Sequence, residues 1–278
     1  MRIMISGFLL VALTCGAANA ETISGNYCSV AHIADYGTGV GIVPTLSWND
    51  FTQPIGHLPT DTALDPLYDQ GGTATGTLIA WSTTAGGSQN TNDYIARPLP
   101  PATLGGHIDD GHDQMMAGYL QASKHSDFAP AVTLRAANLD LSRIGNTYSL
   151  IMYFDGDEDV ESPTGYATFE LWDSELSYMN GDPAMMTYYG RDQVGSNYSI
   201  ENDGTDPMSV YRQIMSMDSQ NPTEGNYVRF DGLRSTEFFA KITGMAQDHG
   251  VALNGFQIVP EPASMLLLAI GAFCLRRR

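Results

Sequence analysis

The stretch Thr147-Tyr148-Ser149-Leu150-Ile151-Met152-Tyr153-Phe154 decides the fold class of this chain. It is rich in aromatic and β-branched residues, and it stops abruptly at Asp155-Gly156, a dipeptide that is typical of turns. A run of this length and composition, closed by a turn, predicts a buried β-strand.

The segment Tyr166–Trp172 alternates between apolar and polar residues, which predicts a strand with Ala167, Phe169 and Leu171 on its core face. Similar strand signals recur in five other segments: Thr73–Trp81, Ala131–Arg135, Asn226–Phe230, Glu237–Ile242 and Val251–Val259. Many short strands separated by turn residues predict an all-β fold, and more specifically a jelly-roll-like β-sandwich.

One short helix is predicted at Asp113–Ala122. Asp113 can cap its N-terminus, and Met116, Tyr119 and Leu120 share one helical face.

The N-terminal residues 1–20 have the organisation of a secretory signal. Arg2 supplies a positive charge, Ile3–Leu13 is an apolar run too short to span a membrane, and Ala18-Asn19-Ala20 is a small-x-small cleavage site before Glu21. We therefore expect an exported protein whose mature chain begins at Glu21.

The C-terminal residues 260–278 form a second special segment. Pro260-Glu261-Pro262 interrupts the last strand, Met265–Leu275 is apolar, and Arg276-Arg277-Arg278 ends the chain. Because arginines flanking a membrane helix stay on the cytoplasmic side, this order predicts an apolar anchor helix with the body outside the inner membrane. The alternative is a buried terminal helix. The expected organisation is thus a signal peptide at 1–20, a β-sandwich domain at 21–259 and a tail at 260–278.

This tail resembles the PEP-CTERM sorting signal, with Pro260, Glu261 and Pro262 as the motif itself. The resemblance implies recognition by an exosortase-type processing enzyme, cleavage near the motif, and release or transfer to the outer surface. It also suggests exopolysaccharide as a partner, since hosts of such proteins often make it.

The body resembles a group of secreted PEP-CTERM proteins, and the similar segments are Gly41–Pro44 with Trp48–Asp50, Met115–Leu120, Tyr153–Asp157, Gly225–Leu233 and Leu253–Val259. That resemblance implies a jelly-roll-like sandwich whose last strand leads straight into the tail. It brings no catalytic residues.

The body is strongly acidic. Setting aside Glu261, Arg2 and the three C-terminal arginines leaves 30 of the 31 acidic and nine of the 13 basic residues, a net charge of −21. Such a surface repels nucleic acid and anionic membranes, and it is compatible with divalent cations. Cys28 is the one cysteine between residues 21 and 259, so the body forms no internal disulfide.

Two clusters contain candidate metal ligands. Asp155, Asp157, Asp159 and Glu161 place carboxylates at alternate positions of one loop, and such oxygen ligands suit Ca2+. The alternative is an acidic surface turn, because the spacing departs from the EF-hand pattern. His107–Asp113 combines imidazoles and carboxylates that suit Zn2+, but it lacks the His-Glu-x-x-His spacing of a zinc protease.

Catalytic motifs are missing from the sequence. There is no Gly-x-Ser-x-Gly nucleophile elbow, although the carboxylate pair of a glycosidase would leave no local signature. Trp48 and Trp81 are candidate glycan contacts, since aromatic faces stack on sugar rings. The alternative is that both are core residues.

These observations favour a non-catalytic, surface-sorted protein of the cell envelope or the exopolysaccharide matrix, held first at the inner membrane and then at the cell surface or outside the cell. The first alternative is a module that binds glycan, or polysaccharide in a Ca2+-dependent way. The second alternative is a glycan hydrolase.

Overall fold

The computed structural model describes residues 21–26, 41–43, 48–50, 62–64, 67–69, 71–83, 120–122, 129–154, 166–191, 211–244 and 251–261. In chain order the elements are β1 (Ile23–Asn26), β2 (Asn49–Asp50), β3 (Thr62–Leu64), β4 (Leu78–Thr83), β5 (Leu120–Ala122), β6 (Ala131–Ala137), α1 (Leu141–Ile144), β7 (Tyr148–Tyr153), β8 (Ala167–Trp172), α2 (Glu175–Met179), β9 (Met186–Arg191), β10 (Gln213–Ile214), β11 (Thr223–Glu224), β12 (Tyr227–Leu233), β13 (Phe238–Gly244), β14 (Val251–Leu253) and β15 (Gly255–Pro260).

The strands form two large sheets and a small one. A six-stranded sheet has the order β10-β12-β7-β15-β1-β2, and a seven-stranded sheet has the order β11-β9-β8-β13-β6-β4-β3. A separate pair is formed by β14 and β5. Chain-distant strands are neighbours in both large sheets: β15 lies between β7 and β1 in the first, and β13 pairs with β6 in the second.

The hydrophobic core lies between the two large sheets. On β7 the side chains of Tyr148, Leu150 and Met152 face this core and are almost fully buried. Rings from opposite sheets meet there: Phe154, which follows β7, lies 4.7 Å from Phe169 of β8, measured between ring centroids. This arrangement confirms the predicted all-β, sandwich-like fold.

The outer face of the six-stranded sheet is also covered. The side chain of Gln257 on β15 is fully buried, accepts a hydrogen bond from the hydroxyl of Tyr153, and donates one to the carbonyl of Val43 at 2.8 Å. Gly41 has φ of +95°, and a Cβ there would lie 2.7 Å from the Gln257 Oε1 atom. A glycine at position 41 therefore lets residues 41–43 pack directly on the sheet.

Several sequence-based expectations differ from the structure. Strand β15 extends through Pro260, where the sequence predicts an interruption. The described end of the expected helix Asp113–Ala122 is wrong, because Leu120–Ala122 is strand β5 and pairs with Val251–Leu253. Pairing and burial of Leu120 and Ala122 override their local helical pattern. The strand expected at Val251–Val259 is divided at Asn254 into β14 and β15, which belong to different sheets.

Among the described residues, none of the helices is long and apolar enough to cross a membrane. The expected signal segment at 1–20 and the apolar run Met265–Leu275 lie outside the described residues.

Candidate functional site at the two chain junctions

The two ends of the body emerge side by side. Strands β1 and β15 are antiparallel, with Ile23 opposite Ile258, so the chain before Ile23 runs towards Pro260. Glu21 directly follows the expected signal cleavage site, and Pro260 opens the tail. We call the contacts of Glu21 the N-terminal junction and the contacts of Pro260 and Glu261 the C-terminal junction.

The N-terminal junction is built around Asp69, whose side chain is 1% exposed. Its Oδ1 atom accepts hydrogen bonds from the backbone amides of Gly71 at 3.0 Å and Thr73 at 2.9 Å. Its Oδ2 atom pairs with the guanidinium of Arg143, which also contacts the Glu21 Oε2 atom at 3.1 Å. The turn at 69–73 and the start of the body are thereby joined through one arginine.

Electrostatics couple the two carboxyl groups of this junction. The hydrogen bond to Asp69, followed by burial, raises the pKa of Glu21. Burial raises the pKa of Asp69, but hydrogen bonds with Glu21 and the backbone, together with the Arg143 charge, outweigh burial and lower it. Asp69 therefore keeps its charge to lower pH than Glu21 does, and the Arg143 guanidinium lies beside both carboxylates.

The C-terminal junction is built around Glu261, the central residue of the Pro260-Glu261-Pro262 stretch. Its backbone amide donates to the carbonyl of Thr147 at 3.0 Å, which continues the pairing of β15 with β7. Its Oε1 atom accepts hydrogen bonds from the backbone amide of Gly232 and from the hydroxyl of Ser149 at 3.3 Å. The strand and its side-chain contacts thus extend into the motif.

Ser149 links this junction to a charged pair on β12. The buried Ser149 hydroxyl also lies 2.6 Å from Asp231 Oδ1, and Arg229 donates to the Ser149 oxygen at 3.0 Å. Arg229 also donates to Asp231 at 2.6 Å. Because a hydroxyl has one proton, Asp231 and Glu261 compete for the same donor.

The segment from Asp140 to Thr147 connects the two junctions. Asp140 caps α1 by accepting from the Ser142 amide at 2.9 Å, and α1 carries Arg143, whose carbonyl accepts from the Glu21 amide at 3.0 Å. The hydrogen bonds of Ser142 lower the pKa of Asp140. A Cβ at Gly145 would lie 3.9 Å from the Pro260 Cβ, so this segment passes beside the motif.

Comparison with family models identifies the tail. Residues 259–278 match the PEP-CTERM protein-sorting motif. This chain carries a PEP-CTERM sorting tail. The motif implies an exported protein that is sorted to the surface with the help of an exosortase, so the C-terminal junction is the place where body and sorting signal meet. A search of curated proteins found no match to the chain.

The other predicted site residues have different outcomes. Trp81 is 1% exposed in the core of the sandwich, so its ring is not available to stack on a sugar, and the core alternative is right for it. Trp48 is half-buried and packs against the outer face of the six-stranded sheet, 6.3 Å from the Tyr153 ring. The remaining predicted site residues lie outside the described part of the chain: Asp155, Asp157, Asp159 and Glu161, the His107–Asp113 cluster, and Pro262.

Sequence reasoning identified Glu261 as part of the motif, but it missed the residues that bind Glu261 and those that form the N-terminal junction. Within the described part of the chain, no group of three or more His, Cys, Asp or Glu side chains is placed to hold a metal ion. A usable signal existed for Ser149, which is the one small polar residue in the otherwise apolar strand Tyr148–Tyr153. A signal also existed for Asp69, which precedes Gly71 and Gly72 in a turn.

Proposed function

We propose that this protein is a non-catalytic β-sandwich that an exosortase-type enzyme delivers to the cell envelope or the extracellular matrix. The observation that carries the proposal is the direct continuation of strand β15 into the sorting motif, with Pro260 paired to Tyr148 and Glu261 bonded to Thr147. No linker separates body from signal, so the folded domain itself is the cargo of the sorting reaction.

The position of both junctions supports a body that faces away from the membrane. Before signal cleavage the chain would be tethered through residue 20, and afterwards through the apolar tail. Glu21 and Glu261, the described residues next to these two tethers, lie at one end of the six-stranded sheet, so the body would keep the same orientation while the tether changes.

Two carboxylate pairs among the described residues are bound by other groups of the body, which is consistent with a non-catalytic role. Glu21 and Asp69 are held by Arg143, while Asp231 and Glu261 share the Ser149 hydroxyl. A glycosidase needs one free carboxyl to donate a proton and another to act on the sugar or a water. Both pairs are instead engaged with partners of the body itself.

A broad glycan panel incubated with the exported protein tests this role. We expect no turnover of polysaccharides. Turnover that a single Asp→Asn or Glu→Gln substitution abolishes would overturn the non-catalytic proposal and favour the hydrolase.

Trp48 favours glycan binding as a second candidate function, because this residue is only half-buried. A glycan array with the wild type and Trp48→Ala tests it, and Trp81→Phe serves as a control for an aromatic substitution in the core. Binding that is lost in Trp48→Ala alone would support the binding module. An absence of binding would leave the matrix protein as the better account.

Ca2+ binding by Asp155, Asp157, Asp159 and Glu161 belongs to the same binding module. A ligand that binds only the folded state raises its stability, by about 2.7 kcal/mol at a hundredfold excess over Kd. If these four carboxylates bind Ca2+, adding the ion should raise the melting temperature, and the Asp157→Asn/Asp159→Asn double variant should lose this shift. No shift in the wild type would support the acidic-turn alternative.

A further inference from the structure

The sorting motif is held by the folded body through three hydrogen bonds to Glu261. The donors and acceptors are the Thr147 carbonyl, the Gly232 amide and the Ser149 hydroxyl, and we call this set the Glu261 clasp. Both Pro260 and Glu261 are half-buried. Part of the motif is therefore already hydrogen-bonded to the body before an enzyme binds it.

We propose that the Glu261 clasp restrains processing, so that the enzyme acts on the motif only while the end of strand β15 is detached from the sheet. This inference rests on the proposed sorting function and adds its regulation. An enzyme that cleaves near Pro260–Ala263 has to bind the backbone and side chains of the motif. The sheet binds the same amide and the same carboxylate, so sheet and enzyme compete for them.

The clasp is weak enough to open. Glu261 is half-buried, Gly232 is exposed, and the bond from Ser149 is long at 3.3 Å. Strand ends that lack buried apolar contacts detach at much lower free-energy cost than core strands do. Towards the core, β15 is held by the fully buried Phe256 and Ile258, so detachment is confined to its end.

Two substitutions at and beside the Ser149 hydroxyl are expected to weaken and to strengthen the clasp, respectively. In Ser149→Ala the donor to Glu261 is lost, and the clasp opens more often. In Asp231→Ala the competing acceptor at 2.6 Å is gone, so the Ser149 proton turns to Glu261 and Arg229 becomes free to approach it. The two variants remove side chains from the same network, yet they have opposite expected effects.

Pulse-chase labelling of the full-length chain in its native host tests the proposal. Loss of the tail is detected as a decrease in mass. Because one hydrogen bond changes an equilibrium by about two- to tenfold, we expect Ser149→Ala to be processed faster than the wild type by a factor in that range. Asp231→Ala should be processed more slowly. The matched control is Ser82→Ala, which removes a hydroxyl that bonds Thr133 in the seven-stranded sheet, and its rate should equal that of the wild type.

Hydrogen exchange of the Glu261 and Gly232 amides in the same full-length variants separates clasp opening from misfolding. We expect faster exchange in Ser149→Ala and slower exchange in Asp231→Ala, while the amides of β7 keep their protection in both. Equal or slower processing of Ser149→Ala with an intact β7 would overturn the clasp, as would faster processing of Asp231→Ala. A wild-type chain that is never processed would instead overturn the proposed sorting function, and exchange would still test the clasp.

Discussion

The N-terminal and C-terminal junctions lie at the same end of one sheet, yet they are held by different kinds of contact. At the N-terminal junction the buried Asp69 is enclosed by Arg143 and by two backbone amides. At the C-terminal junction Glu261 reaches an exposed glycine amide and a hydroxyl that it shares with Asp231. Opening the contacts of the N-terminal junction would leave the Asp69 carboxylate buried without a partner. Opening those of the C-terminal junction would expose the Glu261 carboxylate to water.

This difference matches the chemistry that each junction undergoes in the proposed function. The expected cleavage at the N-terminus needs no contact of the body to be broken afterwards, so a permanent lock is suitable there. Processing at the C-terminus needs the motif to leave the sheet, so a weak and reversible contact is suitable. Four substitutions break or sharpen this comparison.

Asp69→Ala tests the lock at the N-terminal junction. Removing one partner of a buried ion pair leaves Arg143 without its main partner and two amides without an acceptor, so we expect a loss of about 3 kcal/mol in unfolding free energy. Urea unfolding of the purified protein measures it, and the exposed Glu224→Ala should change by less than about 0.5 kcal/mol. Equal losses of unfolding free energy in Asp69→Ala and Glu224→Ala would show that the Asp69 contacts do not hold the N-terminal junction.

Gln257→Leu tests whether β15 is firmly held up to its last residues. The substitution leaves the Tyr153 hydroxyl and the Val43 backbone without their buried partner, so we expect a loss of about 2 kcal/mol. The exposed Gln220→Leu is the matched control in thermal unfolding. If Gln257→Leu and Gln220→Leu had the same thermal stability, Gln257 would not hold β15 to the body. The detachable part of β15 would then begin before Gln257, contrary to the proposal.

Asp140→Ala tests the α1 cap that positions Arg143. Loss of an N-cap side chain lowers stability by about 1 kcal/mol at neutral pH. The pKa of Asp140 is depressed, so its contribution is present above the ordinary Asp pKa of about 3.9 and is lost as the pH falls through the lower folded-state pKa. Wild type and variant should therefore converge in acid, and a difference that grows below pH 4 would contradict the assignment.

Glu261→Ala has the smallest expected effect on stability. Its partner Gly232 is exposed and can bond to water instead, so we expect a loss of about 0.5 kcal/mol. Glu224→Ala again serves as the reference for an acidic residue without a described side-chain bond. A loss above about 2 kcal/mol would make the C-terminal junction a lock like the other one, and the contrast between them would disappear.

The fold class was predictable because local patterns carried it. The apolar run at Tyr148–Tyr153 and the alternation at Ala167–Trp172 are strands in the structure, and Phe169 and Leu171 face the core as predicted. Strand β9 was missed although it pairs with β8, the preceding strand in the chain. The strand at Leu120–Ala122 was taken for a helix, because its pairing with the distant segment Val251–Leu253 determines it. Local propensity does not report such pairing.

The sorting motif was predictable for the same reason, since its order of prolines, apolar run and arginines is local. The junction contacts were not. Asp69 and Arg143 are 74 residues apart, and Ser149 and Glu261 are 112 residues apart. The meeting of Ser149 and Glu261 depends on the register of β15 against β7, and a shift of one residue would turn the Ser149 side chain to the other face. Asp69 lies in a turn and Arg143 in helix α1, so their meeting depends on how these segments pack together.

The most direct test of the central claim is mass spectrometry of the native protein recovered from outside the cell. The central claim is that the folded body is sorted through its PEP-CTERM tail, with processing near Pro260–Ala263. We expect a mature chain that begins at Glu21 and lacks Arg276-Arg277-Arg278, while full-length tail is found only on membrane-bound precursor. Recovery of the intact arginine triplet on all extracellular material would contradict the account.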